Sequence, residues 1–413
     1  MQTENYKNYK KIRKKCLCCG NKNLYEILDL GLHSFADRFI KPKDLKKKDP
    51  VYPLVLDLCK DCKFVQSRFI TNPKDRYYNY DYSYTSSNSN YSINHWSKYA
   101  DFLNKKYLLE NKKVLEIGSN DGLLSQFFDK HKATVTCVDA SPFMSKLSKK
   151  RGLYSINSIF SFKESKKIKK KIGYQDIVVA NNVFNHSDNP KNFLNGVKNI
   201  LKKNGMFIFE QPYFLDTLTS KRFDQVYHEH ISYFTAYNIE NLLNNCGFQV
   251  LNFLKNEYHG GSIRTVAILS NNKLSKNQKV LKLFKNRERK LGIYKDIFYK
   301  KYTKIIKYRK KKLQYQVNKF KSQGYLIYGI GAGAKTNTYL TYNDLNTKNI
   351  DGITETSKFK IGKYTPLTRI KIYKDNKIKN IKKIVCLIFS WNIEKILKKK
   401  LKLVNRNIKY IKT

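Results

Sequence analysis

The sequence predicts an α/β fold centred on a doubly wound parallel sheet. Residues Val114–Asp139 read, in order, as an apolar strand, a glycine turn, a helix and a second strand. Two further apolar runs, Asp176–Ala180 and Gly205–Phe209, follow later in the chain, with helical segments before them. Such alternation of strands and helices is typical of a parallel sheet that binds its ligands at the carboxyl ends of its strands.

A chain of 413 residues is too long for one hydrophobic core and predicts two or three domains. Its apolar content of 41% is sufficient to fill them. The motifs described below place the boundaries near residues 75 and 265. We therefore expect a small N-terminal domain (1–75), a central domain (76–265) and a C-terminal domain (266–413).

The opening residues contain no apolar stretch of the kind found in signal peptides, and the longest apolar run, Ile384–Phe389, has six residues. We therefore expect no signal peptide, no membrane span and a cytoplasmic protein. In that compartment the eight cysteines are expected to be reduced thiols or metal ligands rather than disulfides.

The formal net charge of +50 invites a nucleic-acid interpretation. However, Lys, Asn, Ile, Tyr and Phe are all frequent while Ala, Arg and Pro are scarce, as expected from an A/T-rich genome. From Thr265 onward there are 39 Lys and Arg against 7 Asp and Glu, so most of the excess lies in the C-terminal domain. We interpret this excess first as a solvated basic surface, with an anionic small substrate or a nucleic acid as the alternatives.

Two C-x-x-C pairs occur near the N-terminus, and they predict a zinc site. Two such pairs can present four thiolates tetrahedrally to Zn²⁺. Cys18 lies between two ligands and is the spare cysteine. No His-x-Glu motif that would activate water accompanies the pairs, so the metal is expected to be structural; two unrelated surface pairs are the alternative. The predicted ligands are Cys16, Cys19, Cys59 and Cys62.

The turn Gly118–Gly122 follows the pattern E-x-G-x-x-x-G rather than the G-x-G-x-x-G that wraps a pyrophosphate. Glu116, in the preceding strand, would repel a phosphate, so a cationic ligand without phosphates fits better. Asp139 follows about 20 residues after the turn, where an acidic side chain can hold both hydroxyls of a ribose. An ordinary structural turn is the alternative interpretation.

This stretch resembles motif I of the class I S-adenosylmethionine methyltransferases. The resemblance implies that Glu116, Gly118 and Gly122 line the methionine end of the cofactor and that Asp139 binds its ribose. The predicted cofactor-binding residues are Glu116, Gly118, Asn120, Gly122, Asp139 and Asn182.

Residues 77–96 contain six tyrosines together with a run of Ser and Asn. Such a segment is poor core material but can form a hydrogen-bonding wall. A flexible linker is the alternative, but linkers seldom contain so many aromatic residues. We interpret the segment as a lid over the cofactor cleft.

The segment Tyr227-His228-Glu229-His230 concentrates acid and base groups. Zinc proteases need histidines four residues apart, whereas these are two apart, so a metal site is disfavoured. If the segment is helical, Tyr227 and His230 share one face; if it is extended, they lie on opposite faces.

Two more sites of interest flank this segment in the sequence. His186 follows the strand Asp176–Ala180 and is either functional or a capping or packing residue. The motif H-G-G-S-I-R, from His259 to Arg264, puts a cation and backbone amides beside a glycine turn. It is a candidate clamp for an anion or a sugar.

Taken together and in order, the motifs resemble the sugar C-methyltransferases that act on nucleotide-linked 4-keto-deoxysugars, over essentially the whole chain. The motifs are the paired C-x-x-C, YSYTSSNS, EIGSNDG, NNVFNH, YHEHISYF and HGGSIR. The resemblance implies that His230 removes the proton at C3 of the sugar and that Tyr227 and Glu229 shape the same pocket. It also implies that His186 lies close to the reacting centre.

The same resemblance implies roles for three other residues. Tyr82 or Tyr84 would lie near the substrate, and Asn182 would support the cofactor. The predicted substrate-binding residues are Tyr82, Tyr84, His259, Arg264 and Lys335.

A second strand–glycine–helix pattern occupies Tyr325–Asn337. Taken alone, it fits a second dinucleotide fingerprint or a degenerate phosphate-binding loop. The resemblance instead assigns it to a C-terminal Rossmann-like domain that carries the nucleotide diphosphate of the sugar. Lys335 and the helix N-terminus that follows the glycines would then meet the phosphates.

The leading hypothesis is a C-methyltransferase that uses S-adenosylmethionine and a structural zinc ion to methylate a nucleotide-linked keto-deoxysugar. The alternative is an RNA or DNA methyltransferase that grips its polymer with the zinc module and the basic C-terminal region. Two observations oppose the alternative: the Asn/Asp-Pro-Pro-Tyr/Phe signature is missing, and Cys137 is predicted to be buried in a strand. Neither a membrane nor a nucleic acid is the expected partner.

Overall fold

The structure is a computed structural model that describes residue 6 and residues 9–77, 85–272, 274 and 276–412, with the side chain of Tyr77 excepted. In chain order, its strands are β1 (Leu24–His33), β2 (Tyr52–Cys59), β3 (Val65–Ser67), β4 (Lys113–Ile117), β5 (Thr134–Asp139), β6 (Tyr154–Asn157), β7 (Gln175–Val179), β8 (Leu201–Pro212), β9 (Ser232–Tyr233), β10 (Phe248–Asn256), β11 (Ser262–Leu269), β12 (Leu326–Ile330), β13 (Gly352–Thr354), β14 (Ile372–Tyr373), β15 (Ile384–Ile388) and β16 (Lys409–Ile411).

The α-helices alternate with most of these strands. They are α1 (Pro73–Tyr77), α2 (Asn90–Tyr107), α3 (Leu123–Lys130), α4 (Pro142–Lys150), α5 (Phe162–Ile172), α6 (Pro190–Ile200), α7 (Phe214–Thr219), α8 (Ala236–Asn245), α9 (Gln278–Leu291), α10 (Asp296–Ser322), α11 (Ala334–Tyr342) and α12 (Glu394–Val404). None of the helices in the described ranges has the length and apolar content needed to cross a bilayer.

The central sheet has seven strands in the order β10-β11-β8-β7-β4-β5-β6. Strands β4 to β8 pair in parallel, whereas β11 is antiparallel to both of its neighbours. The order of the strands in the sheet reverses at β4, because β5 lies on one side of it and β7 on the other. This reversal opens a crevice at the carboxyl ends of these strands. The predicted doubly wound α/β sheet is therefore confirmed.

Alternate residues of the central strands pack on opposite faces of the sheet. On one face, Val114 and Ile177 contact buried side chains of α2 and α3. On the other face, Leu115 and Val178 belong to a core that includes α5 and α6. Because both faces are covered, the strands are apolar at consecutive positions, which is how they appear in the sequence.

Side-chain caps define where the flanking helices begin. Ser89, Ser141 and Ser161 each accept a hydrogen bond from the backbone amide three residues later, at the starts of α2, α4 and α5. A serine in this position satisfies one of the amides that has no partner within the helix. The cap at Ser141 also fixes the chain just beyond Asp139, at the edge of the crevice.

The N-terminal sheet has four antiparallel strands in the order β1-β2-β3-β9. Its fourth strand comes from the central part of the chain, because β9 pairs with β3 through Val65 opposite Tyr233 and Gln66 opposite Ser232. The segment that contains His230 is thereby attached to the N-terminal module.

The C-terminal unit is a five-stranded parallel sheet in the order β14-β13-β12-β15-β16. One face packs Ile327 and Leu387 against α10 and α11, and the other packs Ile330 and Ile388 near α12. The glycines that follow β12 lead into α11. This places the N-terminal end of α11 at the carboxyl edge of the C-terminal sheet.

Candidate active site

The four predicted zinc ligands converge in the N-terminal module. The Sγ atoms of Cys16, Cys19, Cys59 and Cys62 all lie within 4.8 Å of one another. Four thiolates placed tetrahedrally at about 2.3 Å from a zinc ion would be about 3.8 Å apart, so this donor set fits the ion. Four protein ligands leave no position for a reactive water molecule, as expected of a structural site. Cys18 is buried beside the cluster but outside the four.

A cavity of about 290 Å³ opens at the carboxyl ends of β4 and β5, beside the glycine turn. Gly118 has a φ of 72°, and a Cβ atom there would lie 2.7 Å from Cβ of Val183, so only glycine fits this position. Arg76 in the wall is paired with Asp188, another wall residue, which also pairs with Arg13. The predicted cofactor residues that line the cavity are Gly118, Asn120, Asp139 and Asn182.

Asp139 is held at the rim of this cavity by backbone amides. Its carboxylate accepts hydrogen bonds from the amides of Asn120 and Ser141, both at 2.8 Å. Burial raises the pKa of Asp139 to about 6, and the two amide hydrogen bonds limit the rise. The carboxylate is therefore mostly ionised at neutral pH and can accept hydrogen bonds from a ribose.

Asn120 and the residues before α2 close one side of the cavity. The side-chain oxygen of Asn120 accepts a hydrogen bond from the amide of Ser86 at 2.8 Å. Ser86 and Trp96 both line the cavity. The predicted lid residues Tyr82 and Tyr84 lie outside the described residues.

Glu116 and Gly122 lie near the cavity but are not among its lining residues. The Glu116 carboxyl group accepts a hydrogen bond from the Ser125 hydroxyl, and burial raises its pKa to about 8. Burial therefore favours the neutral, protonated form of Glu116, which weakens the expectation that its charge repels a phosphate. A Cβ at Gly122 would lie 2.6 Å from Cδ1 of Leu153, so this glycine permits close packing of α3 rather than contact with the cavity.

A second cavity, of about 220 Å³, lies beside the first. Asn182 and His186 line both cavities, so the two adjoin at these side chains. The second cavity also contains most of the predicted catalytic and substrate residues: Tyr227, Glu229, His230, His259 and Lys335.

His230 is held in one tautomer by its neighbour in the same segment. Residues 227–230 form a turn, closed by a hydrogen bond of 2.9 Å from the amide of His230 to the carbonyl of Tyr227, so the segment is neither helical nor extended. Nδ1 of His230 lies 2.8 Å from the carbonyl oxygen of Gln225, which can only accept, so Nδ1 carries the proton. Burial lowers the pKa of His230 to about 3. The imidazole is therefore neutral, with its lone pair on Nε2.

Three other groups surround this imidazole. The Tyr227 ring packs on it with centroids 4.0 Å apart, and the His186 ring lies 5.1 Å away. Burial and the nearby Asp37 raise the pKa of Glu229 to about 7. At neutral pH Glu229 can therefore either donate or accept a hydrogen bond.

Lys335 connects the C-terminal unit to this site. Its Nζ donates a hydrogen bond of 3.1 Å to the carbonyl of His259, which also accepts one of 2.9 Å from the side chain of Gln225. Burial lowers the pKa of Lys335 to about 8. The ammonium is thus mostly charged at neutral pH and lies in the wall of the cavity.

Arg264, a predicted substrate ligand, is not among the residues that line either cavity. Its guanidinium donates to the buried carboxylate of Glu210 at 2.8 and 2.9 Å and lies 3.8 Å from the centre of the Tyr99 ring. The interpretation of Arg264 as a clamp is therefore corrected, because its donors are used inside the protein. His228 likewise packs against Phe35 rather than lining the cavity.

Several lining residues of the second cavity were not predicted. Gln225 lies in the same segment as His230, so its proximity could have been suspected. The others come from distant loops and belong to no motif. The residues missed are Asp37, Gln225, Lys360, Ser390 and Asn392.

Three features define the fold of the class I S-adenosylmethionine methyltransferases. They are the seven-stranded sheet in which β11 is antiparallel to its neighbours, the glycine turn after β4 and the acidic residue at the end of β5. Three family models match successive parts of the chain: "Putative zinc binding domain" over residues 16–77, "Methyltransferase domain" over 91–252 and "C-methyltransferase C-terminal domain" over 257–413. The chain is therefore an S-adenosylmethionine-dependent C-methyltransferase with a zinc-binding N-terminal module, as its sequence motifs predicted.

A relative supports this assignment along the length of both proteins. The chain is 25% identical to C-methyltransferase NovU of Streptomyces niveus over 379 residues, which are 92% of this chain and 90% of that protein.

Several solved structures resemble part of the chain. They include magnesium protoporphyrin IX methyltransferase ChlM from Synechocystis PCC 6803 with bound SAH (14% identity, TM-score 0.35, 43% of this chain and 83% of that one). Another is an S-adenosylmethionine-dependent methyltransferase from Clostridium acetobutylicum ATCC 824 (16% identity, TM-score 0.35, 43% and 92%).

Proposed function

We propose that the enzyme methylates C3 of a nucleotide-linked 4-keto-deoxysugar, through an enolate formed by His230, in the synthesis of deoxysugars or surface polysaccharides. The observation that carries the proposal is the state of His230. It is neutral, it is locked with its proton on Nδ1, and it lines a cavity that adjoins the cofactor cavity.

A carbon atom next to a ketone must lose a proton to become a nucleophile that can accept a methyl group. The neutral Nε2 of His230 takes the proton from C3, and the electron pair of that C–H bond moves toward the carbonyl oxygen at C4. When bound, S-adenosylmethionine supplies an electrophilic methyl group on a sulfonium. The residues shared by the two cavities, Asn182 and His186, lie between the cofactor and the sugar, so they can align the two reactants.

The oxyanion that develops at C4 needs hydrogen-bond donors. Tyr227 and the protonated form of Glu229 both line the cavity beside His230 and can supply them. Removal of bulk water from this buried site strengthens such hydrogen bonds. These two residues are therefore the proposed stabilisers of the enolate.

The diphosphate of the substrate is assigned to the start of α11. Gly333 and the first residues of this nine-residue helix line the second cavity, together with Lys335. Backbone amides at a helix N-terminus and an adjacent ammonium favour phosphate oxygens. The nucleotide would thus lie on the C-terminal unit while the sugar reaches His230.

The nucleic-acid alternative finds less support in this arrangement. The C-terminal unit, which holds most of the excess positive charge, contributes Lys335, Lys360 and Ser390 to the same small cavity as His230. A cavity of about 220 Å³ suits a buried sugar better than a polymer. Labelled S-adenosylmethionine offered with bulk RNA or with a sugar nucleotide tests the choice, and labelling of RNA alone would exclude the proposal.

The base is tested by hydrogen exchange at C3 of thymidine diphosphate 4-keto-6-deoxyglucose in D₂O, without cofactor. We expect exchange by the wild type and a loss of about 100-fold or more in His230→Ala, the usual contribution of a general base. His131→Ala is the matched control, since His131 is partly exposed and pairs with Asp101 far along the chain from the site. Unchanged exchange in His230→Ala contradicts the assignment. Exchange at C5 instead of C3 would mean that C5, and not C3, is the carbon that the enzyme methylates.

A further inference from the structure

The N-terminal zinc module contributes a residue to the substrate cavity. Asp37 lies in the loop between β1 and β2 and lines the second cavity together with His230. The loop is fastened to the C-terminal unit on both sides of Asp37. The Asn337 side chain donates to the carbonyl of Ala36, and Ile40 pairs with Tyr364 through hydrogen bonds of 2.8 and 2.9 Å.

Among the described residues, the side chain of Asp37 has Lys360 as an ion-pair neighbour but no hydrogen-bond donor at Oδ1. It is 6% exposed, yet none of the described residues gives its Oδ1 atom a hydrogen-bond partner. The Lys360 ammonium is 4.0 Å from Oδ1, beyond hydrogen-bond distance, and donates instead to the carbonyl of Ala332 at 2.8 Å. A buried acceptor without a donor is destabilising, so a ligand that donates a hydrogen bond here would remove that cost.

The backbone of Asp37 has a separate task. Its amide is hydrogen-bonded to the Glu229 carboxyl group, which lowers the pKa of that group against the larger effect of burial. A change confined to the Asp37 side chain therefore leaves this contact with Glu229 in place. The same change removes the effect of the Asp37 carboxyl group on the pKa of Glu229, so the contact with the ligand is measured by comparing two substrates within each variant.

The position of Lys360 determines which kind of donor fits. An ammonium group on the substrate, placed against Oδ1, would lie within a few ångströms of the Lys360 ammonium, and like charges at that distance repel. A hydroxyl group donates one hydrogen bond without adding a charge. The site therefore favours a hydroxyl over an amine.

We infer that Asp37 is a specificity-determining residue that accepts a hydrogen bond from a hydroxyl group of the sugar. The inference rests on the proposed function, because it assumes that a sugar occupies the second cavity. It also assigns the zinc module a direct part in substrate choice. The module would hold Asp37 at the cavity in addition to stabilising the fold.

A double-mutant cycle between protein and substrate tests the inference. The probes are thymidine diphosphate 4-keto-6-deoxyglucose, its 2-deoxy and 3-deoxy analogues and its 3-amino analogue. We expect the wild type to lose about 10- to 100-fold in kcat/KM, mainly through KM, with one deoxy analogue, because a buried acceptor is then left without its donor. Asp37→Ala should show the same loss with the parent sugar and no further loss with that analogue.

Two further variants serve as controls. Asp37→Asn keeps an acceptor oxygen and should retain discrimination between the parent sugar and the analogue. It provides a second measurement if Asp37→Ala folds poorly. Asp44→Asn removes a charge from a partly exposed position of the same module, where Asp44 pairs with Lys47, and should behave as wild type. Zinc content and S-adenosylmethionine affinity, measured in every variant, report on folding.

The outcomes separate the inference from the proposed function. If wild type methylates the parent sugar but discrimination is the same in Asp37→Ala, the inference is wrong and the function stands. If the wild type prefers the amino analogue and Asp37→Ala loses that preference, the hydroxyl assignment is wrong. If the wild type methylates none of the sugars, the proposed function fails and the inference fails with it.

Discussion

Two strand–turn–helix units of this protein have nearly the same local design. In the first, β4 leads through Gly118 into α3, and Asp139 stands at the end of the neighbouring strand β5. In the second, β12 leads through Gly331 into α11, and Glu355 follows the neighbouring strand β13. Each unit thus pairs a glycine turn with an acidic residue at the carboxyl edge of a parallel sheet.

The two acidic residues are used differently. Asp139 lines the cofactor cavity, and burial raises its pKa to about 6. Glu355 accepts hydrogen bonds from the amides of Ala332 and Thr356, both at 2.7 Å, and the Lys360 charge and these amides outweigh burial and lower its pKa. The Glu355 carboxylate therefore already accepts the hydrogen bond of the Ala332 amide, a donor that a dinucleotide phosphate would need.

The comparison shows that a glycine turn followed by an acid does not by itself define a nucleotide pocket. What matters is whether the acid faces a cavity or the turn itself. In the second unit the start of the helix, Gly333 to Thr336, lines a cavity, and that cavity is shared with His230. Four experiments test this difference between the units.

The largest expected effect comes from replacing a glycine of each turn by alanine, which adds one methyl group. At Gly118 the backbone has φ of 72° and a Cβ would overlap Val183, whereas at Gly333 the described residues leave open space within 4 Å. We expect Gly118→Ala to weaken S-adenosylmethionine binding on the order of 100-fold, since strain of about 1–3 kcal/mol adds to the overlap. Gly333→Ala should leave that affinity within about 3-fold. Calorimetric titration measures both; equal losses would mean that the second turn also holds the cofactor.

The next largest effects come from neutralising the acidic residue of each unit, which should affect cofactor binding in the first unit and protein stability in the second. We expect Asp139→Asn to lower S-adenosylmethionine affinity by about 10- to 100-fold, because a charged acceptor of the ribose hydroxyls is lost. Glu355→Gln should leave that affinity unchanged but lower the free energy of unfolding by about 1–3 kcal/mol, because its carboxylate accepts hydrogen bonds from backbone amides of the protein. Titration and chemical denaturation of both variants decide; the opposite pattern would exchange the roles of the two acids.

The smallest effect is a pH dependence. The pKa of Asp139, about 6 in the folded protein, lies above its ordinary value of 3.8, so the carboxylate takes up a proton as the pH falls through 6. Cofactor affinity should therefore decrease by up to about tenfold between pH 7 and pH 5, and Asp139→Asn should remove this decrease.

Stability should respond to pH with opposite signs at the two acids. The raised pKa of Asp139 favours the folded state at low pH, and this contribution is lost as the pH rises from about 4 through 6. The lowered pKa of Glu355 stabilises the folded state above its ordinary value of 4.5, and this contribution is lost on acidification. Denaturation of Asp139→Asn and Glu355→Gln across this range checks the signs; the same slope in both would contradict them.

Much of the local structure could be predicted from the sequence. The unit from Val114 to Asp139, the zinc cysteines and the fold class follow from hydrophobic spacing and from short motifs, whose physics acts over a few residues. The turn at Tyr227–His230 was not predicted, because a helix and a strand were the only alternatives considered. Its shape depends on β9, which pairs with a strand more than a hundred residues earlier in the chain.

Long-range placement could not be predicted for the same reason. Asp37 and Lys360 belong to no motif, and only the folded chain brings them to one cavity. Arg264 belongs to a motif, but its motif does not reveal that Glu210, on the adjacent strand, takes its hydrogen bonds. Local patterns identified candidate chemistry, and tertiary packing decided which candidates reach the cavities.

The two-residue strand β9 has a consequence for protein engineering. Because Ser232 and Tyr233 complete a sheet whose other strands come from the zinc module, that module is not an exchangeable cassette. A chimera joined near residue 75 would graft three strands onto a foreign fourth and displace the turn that contains His230. A functional hybrid would have to transfer residues 225–234 together with the donor's N-terminal module, even though the two stretches are far apart in the gene.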